Sequence, residues 1–172
     1  WREWTPIGNY KNNNIYSGTF DGNGYTISGL YIKDPYVFNI GIFGKLMGGT
    51  VKSLGLINSY IEGYDYVGGI AGTIDGSSII SNCYNAGTVS SAANSIQNYG
   101  GICGYISGID SKVTDCYNTG KVNRKSDNNN IGGIVGWNNG EVTDCYILDN
   151  DTYTSAAGGG YGTVESTMVS VD

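Results

Sequence analysis

The sequence predicts an all-β fold, a parallel β-solenoid of about six coils of roughly 30 residues each. A phrase of the form Gly-Ile-x-Gly occurs four times, with its last glycine at steps of 28, 32 and 32 residues. These last glycines are Gly44, Gly72, Gly104 and Gly136. No stretch shows apolar residues at helical spacing over ten or more positions, and 29 glycines in 172 residues disfavour helix.

A second phrase follows each glycine phrase. Together the two phrases predict three short strands in each coil. The first strand carries Gly-Ile-x-Gly, the second runs through a Val or Ile to a Cys or Leu, and the third follows Asn-x-Gly. Val113 and Cys116 are three residues apart, which breaks the alternation of a flat strand, so we expect a bend at Asp115 between them. A β-sandwich is the alternative, although it gives no reason for a fixed period.

The four cysteines could form two disulfides, but their positions favour free, packed thiols. Three of them recur at one repeat position, where the first repeat has a leucine. The residues at this position are Leu54, Cys83, Cys116 and Cys145, and Cys103 is the fourth cysteine. A site that accepts Leu or Cys behaves as a buried apolar site.

The repeats define the expected domain organisation. Residues 1–150 form the solenoid domain, with N-terminal coil or coils over 1–40 and the repeats over 41–150, and 151–172 form a C-terminal extension or a last strand. The chain opens directly in a repeat-like phrase, Trp1 to Gly8, which predicts a piece of a longer protein.

Composition argues against several function classes. A formal charge of −6 disfavours nucleic acid, and no apolar run approaches the length of a membrane span. The chain has no His, so a Ser–His or Cys–His nucleophile pair cannot form within it. Asp149-Asn150-Asp151 and Asp21-Gly22-Asn23 bring oxygens together, but they lack the ligand spacing of a calcium loop and indicate turns. We expect no metal, no cofactor and no catalytic residue.

The run Gly18-Thr-Phe-Asp-Gly-Asn-Gly-Tyr-Thr-Ile-Ser-Gly-Leu30, followed by the Gly-Ile-x-Gly and Asn-Cys-Tyr-Asn-x-Gly-x-Val phrases, resembles the GLUG-motif repeats of bacterial surface proteins. The resemblance covers about residues 1 to 150. It implies a secreted or wall-attached bacterial protein with a right-handed β-helix of the adhesin kind. Similar repeats accompany the catalytic domain of streptococcal immunoglobulin A proteases without supplying its active site, so the resemblance carries over no catalytic residues.

Fifteen tyrosines and three tryptophans exceed what a narrow solenoid core can hold, which favours a binding surface. Tyr84, Tyr117 and Tyr146 recur at one position, and their row points either into the core or outward as an aromatic strip. Six further tyrosines fall near predicted loops and are the candidate ligand- or partner-binding residues. They are Tyr10, Tyr16, Tyr64, Tyr66, Tyr99 and Tyr105.

We therefore expect a non-enzymatic, adhesin-like module of the bacterial surface that binds a glycan or protein of a host or cell wall. One alternative is a structural stalk or a filament subunit that assembles end to end through its open strand edges. A polysaccharide-active enzyme is the least favoured alternative. Such an enzyme needs paired carboxylates, and the repeat position of Asp115 and Asp144 also accepts Ser53 and Asn82.

Overall fold

The computed structural model describes residues 2–8, 14–92, 97–127, 130–148 and 153–169, and these residues form strands and turns without a helix. The strands are β1 (Arg2–Glu3), β2 (Thr19–Asp21), β3 (Thr26–Ser28), β4 (Leu30–Ile40), β5 (Phe43–Met47), β6 (Thr50–Lys52), β7 (Gly55–Gly68), β8 (Ala71–Asp75), β9 (Ile79–Ser81), β10 (Tyr84–Ser91), β11 (Asn98–Gly100), β12 (Cys103–Ile106), β13 (Lys112–Thr114), β14 (Tyr117–Asn118), β15 (Lys121–Asn123), β16 (Asn130–Gly132), β17 (Val135–Asn138), β18 (Glu141–Leu148), β19 (Ala157–Gly160) and β20 (Thr163–Val169).

Each strand pairs in parallel with the equivalent strand of the next coil, which makes the chain a parallel β-solenoid. One sheet of 15 strands has β7, β10, β14 and β18 along its main path, and a five-stranded sheet has the order β19-β17-β12-β8-β5. Val51 pairs with Ile80 and Val113 with Val142 in matched register. The predicted fold class is confirmed.

The number of coils was predicted wrongly, since the chain makes about four turns rather than six. Among the described residues before β2, the ranges 2–8 and 14–18 do not form a full coil of their own. The two-residue strand β1 pairs with β4, and single bridges join Ile7 to Phe43 and Tyr16 to Leu46. Dividing the chain length by the repeat period gives about six coils, because this division counts the N-terminal residues as if they formed coils.

A coil also contains more strand segments than the three predicted. β14 and β15 are separate strands, whereas the equivalent stretch of the previous coil is the single strand β10. Between them the buried Asn118 side chain accepts a hydrogen bond from the Gly120 backbone N–H at 3.2 Å. The equivalent Asn85 accepts a hydrogen bond from the Gly87 N–H at 2.9 Å within the continuous strand β10, so this hydrogen bond does not explain the break. β11 and β16 add a further strand ahead of the Gly-Ile phrase in two of the coils.

The core is a set of columns in which like residues lie over like. Val51, Ile80, Val113 and Val142 form one column and are fully buried. The neighbouring column contains Leu54, Cys83, Cys116 and Cys145, which are also buried. All four cysteines of the chain are free and buried, so the prediction of packed thiols is confirmed.

The predicted bend lies at the residue just before each member of the cysteine column. Ser53, Asn82, Asp115 and Asp144 all have left-handed backbone conformations, with φ between 50° and 54°. Short polar side chains tolerate this region better than branched ones do. The bend redirects the chain between two inward-facing residues, which explains the three-residue spacing and confirms the prediction.

The four repeat glycines are required by close approach of backbones and not by their own conformation. Gly104 lies at the start of β12, where an added Cβ would overlap the Tyr66 carbonyl carbon and the Val67 nitrogen at the end of β7. Gly72 approaches the Asn39 backbone in the same way one coil earlier. None of Gly44, Gly72, Gly104 and Gly136 has a positive φ.

Candidate binding groove

The open groove of the candidate site lies where the ends of β4 and β7 meet the outer face of the five-stranded sheet. Parallel register places Lys45, Thr73, Tyr105 and Trp137 in one column on that face. Their neighbours Leu46, Ile74 and Ile106 point into the core and are fully buried. Alternation along each strand therefore aims the column outward.

The groove has a volume of about 380 Å³ and an aromatic wall. Tyr66 and Tyr105 are stacked, with ring centroids 5.1 Å apart and an interplanar angle of 27°. Phe38 lies 6.3 Å from the Tyr66 ring and 5.0 Å from the Tyr64 ring, and 45% of its surface is exposed. The complete lining is Phe38, Asn39, Lys45, Tyr66, Thr73, Tyr105 and Ser107.

Polar side chains form the rest of the groove. The Thr73 hydroxyl donates a hydrogen bond of 2.5 Å to Asn39 Oδ1. Lys45 Nζ lies 3.5 Å from Asp75 Oδ2, so the one cation in the lining is neutralised by a neighbouring carboxylate. The Tyr105 hydroxyl accepts a hydrogen bond of 3.2 Å from Asn139 Nδ2. The lining thus combines flat apolar faces with neutral hydrogen-bonding groups.

The backbone holds two groove residues in an uncommon conformation. Asn39 and Tyr66 have φ values of 59° and 54°, in the left-handed region. Asparagine tolerates this region, but a bulky residue such as tyrosine seldom occupies it. Left-handed backbone at bulky residues concentrates at functional sites. Here it belongs to a tyrosine whose ring forms the wall of the groove.

A buried carboxylate behind the wall fixes the backbone of Tyr66. Asp65 Oδ1 accepts hydrogen bonds from the Tyr66 backbone N–H at 2.7 Å, from the Asn98 backbone N–H at 2.9 Å and from Asn98 Nδ2 at 3.1 Å. Burial raises the pKa of Asp65, and these hydrogen bonds oppose the rise. Burial also raises the pKa of Tyr66, and the charge of Asp65 adds to this, so the phenol is neutral at physiological pH.

The aromatic surface continues beyond the groove along the same column. Trp137 follows Tyr105 one coil further on, and its Nε1 donates a hydrogen bond of 2.9 Å to Asn139 Oδ1. Tyr161 packs edge-on against Trp137 at 5.9 Å between centroids, and 90% of its surface is exposed. The groove therefore opens onto an aromatic strip that spans several coils.

The six predicted binding tyrosines have different positions. Tyr66 and Tyr105 line the groove, and Tyr64 packs against Phe38 beside it. The expected exposure is wrong for Tyr99, which is fully buried and donates its hydroxyl to the Tyr64 carbonyl oxygen at 2.5 Å. Tyr16 is half-buried because its ring packs against Phe43 at 5.1 Å. Tyr10 lies outside the described residues.

Three aromatic residues of this surface were missed in the sequence. Trp137 follows Gly136 just as Tyr105 follows Gly104, so an alignment of the repeats contained the signal for it. Tyr161 lies in a stretch where the repeat phrases stop. Phe38 lies next to a shift in register between β4 and β7, which hides its position from any count of residues.

The recurring row of Tyr84, Tyr117 and Tyr146 forms a second aromatic surface and points outward. Tyr84 and Tyr117 stack with centroids 4.8 Å apart and an interplanar angle of 2°. Tyr146 is 52% exposed. A mostly apolar pocket of about 270 Å³ lies beside the row, and Leu148 and Val169 contribute to it.

Two further features concern metal and membrane. Within the described residues, no group of three or more Cys, Asp or Glu side chains is placed to hold a metal ion. The Asp21-Gly22-Asn23 phrase is a turn in which Asp21 Oδ1 accepts a hydrogen bond from the Asn23 N–H at 2.9 Å, whereas Asp149 to Asp151 lie outside the described ranges. In the same part of the chain, no helix has the length and apolar character needed to cross a membrane.

Comparison with known proteins identifies the repeat. The family model described as the GLUG motif matches residues 63–90, 96–123 and 127–150. The chain contains three GLUG motifs. Over 86 residues, or 49% of this chain, the sequence is 35% identical to halomucin of Haloquadratum walsbyi (strain DSM 16790 / HBSQ001). The match spans 1% of the halomucin chain. No solved structure matches the chain.

The matched segments contain part of the groove lining, whereas Phe38, Asn39 and Lys45 precede them. The first matched segment contains Tyr64, Tyr66 and Thr73, and the second contains Tyr105. The motifs and the similarity to halomucin indicate a repeat module of a surface protein. The relative is archaeal, so a bacterial origin is not shown.

Proposed function

We propose that the chain is an extracellular, adhesin-like binding module whose groove binds a carbohydrate chain of a host or cell surface. The observation that carries the proposal is the stacked Tyr66–Tyr105 pair in an open groove next to the Thr73–Asn39 hydrogen bond. Sugar rings have apolar C–H faces and hydroxyl edges, and this lining offers aromatic faces together with neutral donors and acceptors. The GLUG motifs and the halomucin relative support a place at the cell surface.

The shape of the surface favours a polymer over a single sugar. The groove leads to Trp137 and Tyr161, so aromatic rings continue in the direction of coil stacking. Successive coils lie about 4.8 Å apart, which is close to the length of one sugar unit. A linear polysaccharide lying along the solenoid can contact several rings at once, and each contact adds to the affinity.

Lys45 does not make the groove a site for acidic polymers, because Asp75 already neutralises it at 3.5 Å. The net charge of −6 also disfavours polyanions. We therefore expect neutral or amide-bearing glycans to bind better than sulfated or uronate-rich ones. Binding should depend weakly on salt concentration.

The test is a broad glycan array followed by calorimetric titration of the best binder. Tyr105→Ala should weaken binding at least tenfold, which corresponds to about 1.4 kcal/mol. Tyr117→Ala is the matched control, since it removes an exposed, stacked tyrosine from the other aromatic surface. Absence of binding across the array, or equal losses in both variants, would refute the proposal.

The alternative function is a rigid stalk. It is supported by the continuous parallel ladder, in which each coil is fixed to its neighbours. A non-enzymatic role agrees with both functions, and assays of polysaccharide turnover test it directly. A stalk that binds nothing would retain its rod shape in small-angle scattering while failing the array.

A further inference from the structure

Phe38 and Asn39 are consecutive residues of β4, and both line the groove. Consecutive side chains of a regular strand point to opposite faces of the sheet. Asn39 has a φ of 59°, in the left-handed region, and this conformation interrupts the alternation. The interruption brings an apolar ring and a carboxamide together in one lining.

The carboxamide of Asn39 has a defined orientation. Thr73 Oγ1 lies 2.5 Å from Asn39 Oδ1. This distance is within the range of an O–H···O hydrogen bond, whereas N–H···O hydrogen bonds are longer, at about 2.7–3.2 Å. The amide oxygen is therefore the atom that faces the threonine hydroxyl, and Nδ2 points away from it.

The Nδ2 atom of Asn39 is an unused donor in the groove. Within the described residues, it donates no hydrogen bond to the protein, while Oδ1 is already engaged by Thr73. It is also not among the buried polar atoms that lack a partner, so water can reach it. A ligand that covers Nδ2 displaces this water. Such a ligand must supply an acceptor, because a donor left unpaired under the ligand lowers the affinity.

The position of this donor is fixed by β8. An added Cβ at Gly72 would lie 2.4 Å from the Asn39 Cα, so the backbones of β4 and β8 are in close contact here. Thr73, the next residue of β8, holds the Asn39 side chain through its hydroxyl. The donor therefore needs little ordering when a ligand binds, which lowers the entropic cost of binding.

The neighbours of Nδ2 select the kind of acceptor. Phe38 is 45% exposed beside Asn39, which favours an acceptor attached to an apolar group. A carboxylate is also an acceptor, but the cation in the lining is Lys45, and Asp75 already lies 3.5 Å from its Nζ. An uncharged carbonyl group that carries a methyl group suits both neighbours. On a sugar, this combination is an acetamido group.

We propose, on the basis of the glycan-binding function, that the groove selects sugars with a 2-acetamido group. The carbonyl oxygen of this group accepts a hydrogen bond from Asn39 Nδ2, and its methyl group lies against the ring of Phe38. The apolar face of the glycan rests on the stacked pair of Tyr66 and Tyr105. A hydroxyl at the same ring carbon is shorter and has no methyl group, so it reaches the donor poorly and makes no contact with Phe38.

Two matched tetrasaccharides test this selection by calorimetric titration. Fully N-acetylated chitotetraose and cellotetraose have the same linkages and ring configuration, and they differ in the acetamido or hydroxyl group at C2. We expect the acetylated tetramer to bind tighter by about tenfold or more, since one hydrogen bond and one buried methyl group together are worth a factor of that order. Equal affinities would overturn the acetamido assignment and leave the glycan-binding function standing. Binding of neither tetramer would also overturn the assignment, and the broad glycan array then decides the function separately.

Asn39→Asp tests the residue that makes the selection. Aspartate tolerates the left-handed region and keeps an Oδ1 acceptor for the Thr73 hydroxyl, but it lacks the donor. The ratio of the two affinities should fall about fivefold. Tyr105→Ala is the matched control, because it should weaken both tetramers alike and leave their ratio unchanged. Circular dichroism shows whether each variant is folded. An unchanged ratio in folded Asn39→Asp would overturn the proposal.

Discussion

Asn85 Nδ2 donates a hydrogen bond of 2.9 Å to Oδ1 of Asn118, which lies one coil further along the solenoid, and both side chains are fully buried. Each of them also accepts a hydrogen bond from the backbone N–H two residues later. In the next coil Ile147 takes this position, and the Tyr153 hydroxyl closes the row by accepting from Asn118 Nδ2 at 3.1 Å. The row is a buried polar ladder that fixes the register of the coils.

Asn118→Ala should therefore lower the free energy of unfolding by about 1–3 kcal/mol or more, because it leaves buried partners of the ladder unpaired. Chemical denaturation measures the change. Thr119→Ala is the matched control, since Thr119 is the exposed neighbour in sequence. Equal stability of the two variants would show that the ladder contributes nothing.

The bend at Asp115 provides a second test. Asp115 has φ of 52° and is exposed, so its side chain is not part of the core. Asp115→Val should destabilise the fold by about 1–2 kcal/mol, because a branched side chain is strained in the left-handed region. Asp115→Gly and Asp115→Asn should melt close to the parent. A Val variant that melts with them would show that the bend does not constrain the residue.

The period and the identity of the residues were sufficient to predict the columns, because stacked coils repeat one environment at each step. This is why Leu54 and Cys116 could be assigned to the core and Asp115 to a bend. The same alignment pairs Tyr99 with Val67 and Ile131, and all three precede a Gly-Gly phrase. The burial of Tyr99 could therefore have been predicted from the sequence, but the polar loop before Tyr99 concealed the repeat pattern.

Other features could not be obtained from the period. The groove forms where β4 and β7 lose register between Asp34 and Phe38, and an irregular step has no equivalent in the other coils. Repetition thus predicts the core and the outward column of Tyr105 and Trp137, whereas the irregular step at Phe38 that completes the groove does not follow from it.

Gly104→Ala should destabilise the protein severely, because an added Cβ at this position overlaps the backbone of Tyr66 and Val67. The backbone cannot move without separating β12 from the end of β7. Gly29→Ala is the informative comparison, since Gly29 has φ of 73° but nothing within 4 Å of an added Cβ. That variant should lose only about 1 kcal/mol. Thermal melting ranks the two, and a smaller loss for Gly104→Ala would contradict the close approach.

All four thiols should react slowly in the native protein because each of them is buried. Hydrogen bonding to Cys116 lowers the pKa of Cys83 and of Cys145, so these two thiols are protected by burial and not by protonation. Burial raises the pKa of the Cys103 thiol to about 12, so it stays protonated and inaccessible at pH 8. Titration with a thiol reagent should detect no fast-reacting cysteine in the native protein and four after unfolding. Cys116→Asp should cost several kcal/mol because it buries an unpaired charge, whereas Cys116→Ala should cost far less. Rapid labelling of Cys103 in the native state would contradict its burial.

Asp65 links the stability of the groove to pH. Its pKa is raised above the ordinary value of 3.8 chiefly by burial, so the folded protein binds the proton more tightly than the unfolded chain does. Its contribution to stability therefore falls as pH rises from about 3.8 through the folded pKa.

Asp65→Asn keeps an Oδ1 acceptor for the Tyr66 and Asn98 N–H groups and removes the charge. The variant should be more stable than the parent at pH 7, and this advantage should shrink toward pH 3. Denaturation at both pH values measures this, with exposed Asp110→Asn as the control. A variant that is less stable at pH 7 would show that the carboxylate charge itself holds the wall of the groove.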